Sequence, residues 1–192
     1  MFRKLTSPIL KISRRYGSSE SGVAAIEFAM VAFPFFAVLG VIIETGAMMF
    51  AEFGLQSAVQ DAARTARTGT AQGSSKTVAD FKTAICNSAV LGTSCTSKLS
   101  VYANSYGTWA QLKAGMPNFM NIGIKDDGTT DPTPFKLGAP TCPSSLVATY
   151  DWKFTMPMMN YMGNINGNKS RRLVGFAMFQ TEPYPAAGGT TC

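Results

Sequence analysis

The chain of 192 residues contains no histidine, and this absence removes several classes of function. A Ser-His-Asp or Cys-His catalytic arrangement requires histidine, and many zinc sites use it. The sequence also has no P-loop, no dinucleotide-binding glycine motif and no Cys-x-x-Cys pair. We therefore predict that the protein is not an enzyme and that it holds no metal and no cofactor.

Charge is nearly absent from a long stretch near the N-terminus. In the 21 residues from Val23 to Ile43, Glu27 is the only charged side chain. A helix of this length crosses the roughly 30 Å hydrocarbon core of a bilayer. The sequence therefore predicts one membrane-spanning helix, in which Glu27 is costly unless it has a partner or a function.

The charges on either side of this stretch predict its orientation. Arg14 and Arg15 precede it, whereas the first charges after it are Glu44, Glu52 and Asp61. Positive residues stay on the cytoplasmic side of a membrane. We expect a single pass with the N-terminus in the cytoplasm and the rest of the chain exported.

The net charge of +6 arises mostly from residues 1–22. Five basic residues and one acidic residue lie there, so the remaining chain carries twelve basic and ten acidic side chains, a formal charge of +2. Nucleic-acid binding needs a basic face on a folded domain, and the remaining sequence indicates none. We therefore expect no nucleic-acid partner.

The four cysteines all follow the apolar stretch, on the side predicted to be exported. Disulfides form and persist in exported compartments. Four cysteines allow three pairings. We favour Cys86 with Cys95, which closes a short loop, and Cys142 with Cys192, which holds the C-terminal tail.

Residues 18–28 contain a processing motif. The segment reads SSESGVAAIEF, so that Gly22 is followed by Glu27 and Phe28 in the pattern Gly-x-x-x-x-Glu-Phe. This pattern resembles the processing site of type IV pilin-like proteins. The resemblance implies that a prepilin peptidase cuts between Gly22 and Val23, and that Glu27 pairs with the new N-terminal amine of a neighbouring subunit. An uncleaved signal anchor, with Glu27 at the headgroup boundary, is the alternative.

Four further segments make the resemblance more specific. Glu44-Thr45-Gly46 and residues 55–67, LQSAVQDAARTAR, are similar to the TadE-like family, minor pseudopilins of the tight-adherence pilus. Residues 146–150 and 175–184, LVATY and GFAMFQTEPY, resemble the closing strands of that family. Phe28 stands where major pilins more often have tyrosine, which favours a minor pilin.

The resemblance implies a pilus assembly component that supports surface attachment. Its expected partners are the inner membrane, the prepilin peptidase, other pilins or pseudopilins and the assembly machinery. The protein would be anchored in the bacterial inner membrane with a periplasmic domain, or incorporated in the pilus. The alternative function is an uncleaved, membrane-anchored periplasmic scaffold or adaptor of a secretion machinery.

The chain divides into four predicted parts. Residues 1–22 form a basic leader, residues 23–45 the transmembrane segment, residues 46–69 the exported half of the same helix, and residues 70–192 a periplasmic α+β domain. Pro34 removes one backbone hydrogen bond within the apolar helix, so we expect a kink there. The exported half has a stripe of small or apolar residues at helical spacing that we expect to pack on the domain or on neighbouring helices of a filament: Ala47, Ala51, Leu55, Ala58, Ala62 and Ala66.

The predicted fold is α+β, with the long helix packed on a small antiparallel sheet. Apolar spacing favours a further helix over residues 76–90. Alternating residues predict strands at 99–103, 146–154 and 173–179. Residues 104–141 are rich in proline and glycine and are predicted to be a loop-rich insertion.

Two local clusters have possible ligands but a simpler interpretation. Residues 126–131, DDGTTD, offer oxygen ligands, yet they lack the EF-hand spacing and its closing glutamate, which favours a solvated turn. Residues 156–162, MPMMNYM, contain four methionines whose thioethers could bind copper. Methionine more often fills packing gaps or interfaces, so we expect packing or a membrane-proximal or subunit contact.

Overall fold

The computed structural model describes residues 20–92, 94–122, 134–165, 170–185 and 192. The chain forms two compact units, with the boundary between Ile43 and Glu44. In chain order the helices are α1 (Glu20–Arg67), α2 (Thr70–Gly73), α3 (Val78–Ser88), α4 (Cys95–Lys98) and α5 (Trp109–Gly115). The strands are β1 (Leu99–Ser105), β2 (Pro143–Lys153) and β3 (Ser170–Gln180), and two 3-10 turns cover Phe119–Asn121 and Pro157–Met162. The predicted α+β fold is confirmed.

The first unit consists, in its described part, of the apolar beginning of α1. Its large hydrophobic side chains, such as Phe28, Phe33 and Ile42, are exposed. By length and composition α1 is a candidate membrane span, with a mean hydropathy of 2.4 in its most apolar window. The helix continues through Pro34, so the proline does not end it. The kink expected at Pro34 stays a prediction.

In the second unit, one face of α1 is buried against the domain. Five residues of the predicted stripe belong to the core, and Met48, Val59 and Ala63 extend it. Ala47 is an exception because it is exposed. Small side chains allow close approach of the helix backbone to the neighbouring elements, which explains the alanine-rich face.

The sheet has the order β1-β2-β3, and both strand pairs are antiparallel. Tyr150 lies between Leu99 of β1 and Leu173 of β3. Alternate residues of each strand, including Val101 and Leu146, join the core that contains the buried face of α1. The three predicted strands are present, and each is longer than its alternating pattern indicated.

The insertion between β1 and β2 is more ordered than its composition predicted. It contains α5, whose first turn is capped by Thr108, and a 3-10 turn. Ile122 packs in a second small cluster with Tyr102 and Val147, and Thr149 Oγ1 donates to the Ile122 carbonyl at 3.0 Å. Part of the insertion therefore covers the second face of the sheet. The DDGTTD cluster, residues 126–131, lies outside the described residues.

A partly buried ion pair joins the second face of the sheet to this insertion. Arg172 donates from Nε and Nη2 to the two carboxylate oxygens of Asp151 at 2.7 and 2.9 Å. The same guanidinium donates to the carbonyl of Met120 in the 3-10 turn. The planar fork of arginine suits this bidentate geometry. On the same face, burial and a hydrogen bond to Tyr106 raise the pKa of Tyr102 to about 12.

The helix predicted over residues 76–90 is α3, which covers Val78–Ser88. It begins at a capping box, because the Thr77 N–H donates to Asp80 Oδ2 at 2.7 Å and the Thr77 side chain accepts from the Asp80 N–H. The carboxylate accepts hydrogen bonds from the Thr77 N–H and, at 2.8 Å, from Thr77 Oγ1, and these two bonds hold the pKa of the Asp80 carboxyl below its usual value.

The far end of α1 is joined to the end of β3. The Glu182 N–H donates to the Arg67 carbonyl at 2.8 Å, and the two side chains form an exposed salt bridge at 3.2 Å. Gly69 follows with a φ of 76°, and a Cβ there would lie 2.4 Å from the ring of Tyr184. Gly69 lies two residues after the end of α1. Its positive φ and the close packing of the Tyr184 ring both favour glycine at this position.

Candidate processing and assembly site

The four residues of the processing motif lie near the start of α1. Gly22, Val23, Glu27 and Phe28 are all exposed. A Cβ added at Gly22 would meet no atom within 4 Å. The fold therefore does not require glycine at position 22, and a requirement for it would come from another molecule.

Glu27 is exposed within the apolar part of α1. Among the described residues, none forms a hydrogen bond or an ion pair with its carboxylate. Placing a charged side chain at the middle of a bilayer costs about 2.5–3.5 kcal/mol, and less towards its boundary. A cation from another molecule would offset this cost.

Glu44 is the first residue of the second unit, and its carboxylate is buried. It accepts hydrogen bonds from the N–H groups of Thr155 and Met156, the latter at 2.9 Å. These residues directly precede the 3-10 turn Pro157–Met162, which we call the methionine turn. From the sequence, Glu44 indicated only orientation and the family resemblance, and this structural role was not predicted.

Gln56 makes a second contact that the sequence did not reveal. Its amide donates to the Phe176 carbonyl and accepts from the Phe176 N–H, both at 3.0 Å. Gln60 donates to the same carbonyl at 3.2 Å. Because β3 is an edge strand, Gln56 satisfies backbone groups that would otherwise be open to another strand.

Gly175 allows α1 to lie directly on β3. A Cβ there would be 2.9 Å from Val59 Cγ2 and 3.1 Å from the Leu55 carbonyl oxygen. The contact with a backbone oxygen leaves little room for adjustment. The small side chains of α1 and Gly175 therefore belong to one close helix–strand contact.

The four cysteines form two disulfides, Cys86 with Cys95 and Cys142 with Cys192. These are the pairs that the sequence analysis favoured. The first joins the end of α3 to the start of α4. In the second, Cys142 is fully buried, and its N–H donates to Thr181 Oγ1 at 2.9 Å. No cysteine remains as a free thiol.

A groove lies between α1 and α3. Its volume is about 160 Å³, and it is lined by apolar residues such as Ala58 and Phe81 with Asp61, Lys76 and Asp80 among its polar residues. Within the part of the chain that the structure describes, no three His, Cys, Asp or Glu side chains are grouped as metal ligands.

Comparison with known proteins gives one match. The family model described as TadE-like protein matches residues 22–64, which include the processing motif, Glu44 and Gln56. No curated protein and no solved structure matches the chain. The resemblance inferred from the motifs is thus confirmed over residues 22–64, where the chain is similar to the TadE-like family.

Proposed function

We propose that this protein is a minor pseudopilin of a tight-adherence pilus. The observation that carries the proposal is the TadE-like match over residues 22–64, which begins at the glycine of the processing motif. In this proposal a prepilin peptidase cuts between Gly22 and Val23. The mature chain is held in the inner membrane by α1, with its domain in the periplasm, until it joins or primes the pilus and thereby supports surface attachment.

The exposure of the motif supports processing by another protein. Gly22 and Val23 have no packing role in the described fold, so a peptidase can approach this part of the chain. The cut also removes the basic leader and leaves a formal charge of +2. The apolar helix is then free of the positive charges that hold its N-terminus on the cytoplasmic side.

Glu27 is the assembly residue of this proposal. After the cut it is the fifth residue of the mature chain, and the amine of Val23 carries a positive charge. In lipid, the amine of one subunit and the carboxylate of its neighbour attract strongly and offset each other's desolvation. This pairing would set the axial position of one helix against the next.

An uncleaved scaffold or adaptor is the second candidate function. One observation favours it: α1 begins at Glu20 and is helical across the Gly22–Val23 bond. A peptidase has to open a helical turn before it can hydrolyse a bond within it, because the active site needs access to the backbone.

The mass of the membrane-extracted protein, in the presence and absence of the peptidase, distinguishes the two functions. We expect a mature N-terminus at Val23, and we expect Gly22→Val to block the cut, since a branched side chain obstructs the backbone. Gly46→Val is the matched control, because Gly46 also lies on α1 with no atom within 4 Å of its added Cβ. An intact leader on the wild-type chain after exposure to the peptidase would support the scaffold and contradict processing.

A further inference from the structure

The methionine turn exposes large apolar side chains on the second unit. The side chains of Met158, Tyr161 and Met162 are 60%, 95% and 52% exposed. Met159, in contrast, is buried and attaches the turn to the domain. Methionine is flexible and adapts to irregular surfaces, and tyrosine has an apolar ring with a polar tip. Tyrosine of this kind is enriched where membrane and water meet.

The turn is fixed to the residue at which the apolar stretch of the chain ends. Glu44 follows Ile43 directly, and its carboxylate binds the N–H groups of Thr155 and Met156. Successive residues of a helix are about 1.5 Å apart along its axis. If α1 crosses a membrane, the methionine turn therefore starts at the level of the bilayer boundary.

The charges near the turn suit a lipid headgroup layer. Lys153 and Arg171, at the neighbouring ends of β2 and β3, carry positive charge beside Trp152. Two acids at this end, Glu44 and Asp151, are already hydrogen bonded to protein groups. Lysine and arginine near a membrane surface attract anionic lipids.

We propose that the methionine turn is a second membrane contact, in which Met158, Tyr161 and Met162 enter the outer headgroup boundary of the bilayer that α1 crosses. This inference rests on the membrane anchoring in the proposed function. The contact would hold the domain against the membrane before assembly. Leaving the bilayer would then expose these side chains to a new partner.

Cross-linking from three positions of the full chain tests this contact. A photoreactive benzoylphenylalanine replaces Tyr161, Phe33 or Trp109 in separate variants, each reconstituted in phosphatidylethanolamine–phosphatidylglycerol vesicles. Phe33 is 79% exposed in the apolar stretch and reports on the anchor itself. Trp109 is 50% exposed and follows the end of β1 that pairs with Ser144, away from Tyr150 and the methionine turn. Because all three side chains are exposed, the changes leave the core intact.

After irradiation, we expect lipid adducts at positions 161 and 33, measured by intact mass, and none at 109. A lipid adduct at position 33 without one at position 161 overturns the second contact, although it supports membrane anchoring by α1. An adduct at 161 with another protein chain instead of lipid identifies the turn as a subunit contact and also overturns the proposal. Lipid at all three positions overturns the proposal, because the domain then meets lipid without preference for the turn. The absence of lipid at 33 overturns the anchor together with the inference that rests on it.

Discussion

At the scale of single residues, the helix and the domain are joined through the backbone at several points. Glu44 and Gln56 bind main-chain groups of other elements, and Gly175 brings its own backbone against that of α1. Backbone groups are present whatever the side chain, so such contacts leave little trace in the sequence of the partner segment. In each of these contacts, therefore, only the residue named above has to be of a particular type, and its partner contributes backbone atoms that any residue has.

We predict that Gly175→Ala destabilises the second unit by about 1–3 kcal/mol, the usual cost of adding a methyl group to a filled site. The added carbon would lie within 3.1 Å of a backbone oxygen and could not be accommodated by rotating a side chain. The midpoint of chemical unfolding, measured on the full chain, reports the change.

The matched control for this substitution is Gly54→Ala on α1. Its added Cβ would lie 3.5 Å from the nearest atom, an ordinary contact, and alanine favours a helix over glycine by about 0.5–1 kcal/mol. Equal unfolding midpoints for Gly175→Ala and the wild type would contradict the close helix–strand contact.

At the scale of the elements, the two disulfides close loops of very different length. The Cys86–Cys95 bridge connects two helices over a sequence separation of 9 residues, whereas the Cys142–Cys192 bridge spans 50 residues. A cross-link restricts the unfolded chain more strongly when it closes a longer loop. The longer bridge therefore contributes more to the stability of the domain.

Replacing both cysteines of the longer bridge by serine is expected to cost about 4 kcal/mol, against about 2.5 kcal/mol for the shorter bridge, in the chain-entropy description. The two double variants, Cys142→Ser with Cys192→Ser and Cys86→Ser with Cys95→Ser, serve as controls for each other. Unfolding midpoints without reductant measure the difference. A larger loss for the shorter bridge, or a Cys95–Cys142 peptide on non-reducing mapping, would contradict this assignment.

At the scale of the whole molecule, α1 carries two different environments along one continuous helix. Its apolar beginning, with Glu27, belongs to one compact unit, and its alanine-rich remainder belongs to the core of the other. Changes at Glu27 therefore leave the packing of the second unit unaltered. We therefore expect assembly and the folding of the second unit to respond separately to mutation.

If the proposed pairing holds, Glu27→Gln reduces pilus formation and leaves the second unit folded, with both disulfides formed. Glutamine has nearly the size of glutamate, yet it lacks the charge that would pair with the amine of a neighbouring subunit. Electron microscopy of cells counts pili, and non-reducing mass spectrometry reports the disulfides. Glu52→Gln, on the second part of α1, is the matched control, and normal piliation by Glu27→Gln would rule out the pairing.

The sequence by itself determined the features that depend on neighbouring residues. The nearly charge-free stretch with Glu27, the Gly-x-x-x-x-Glu-Phe pattern, the buried alanine face of α1 and the alternating strands are all local patterns. The four cysteines allow three pairings. The short loop between Cys86 and Cys95, and the need to hold the C-terminal tail at Cys192, favoured the pairs that the structure contains.

Only the tertiary structure decided the contacts between segments far apart in the chain. Gln56 binds a residue 120 positions away, and Glu44 one 112 positions away. Contacts between distant segments also decide two other features. They place α5 and Ile122 over the second face of the sheet, and they leave Ala47 exposed. The periodicity of the sequence does not predict these long-range contacts. Hydrogen bonds to backbone groups and close approach at a glycine depend on how whole helices and strands pack together.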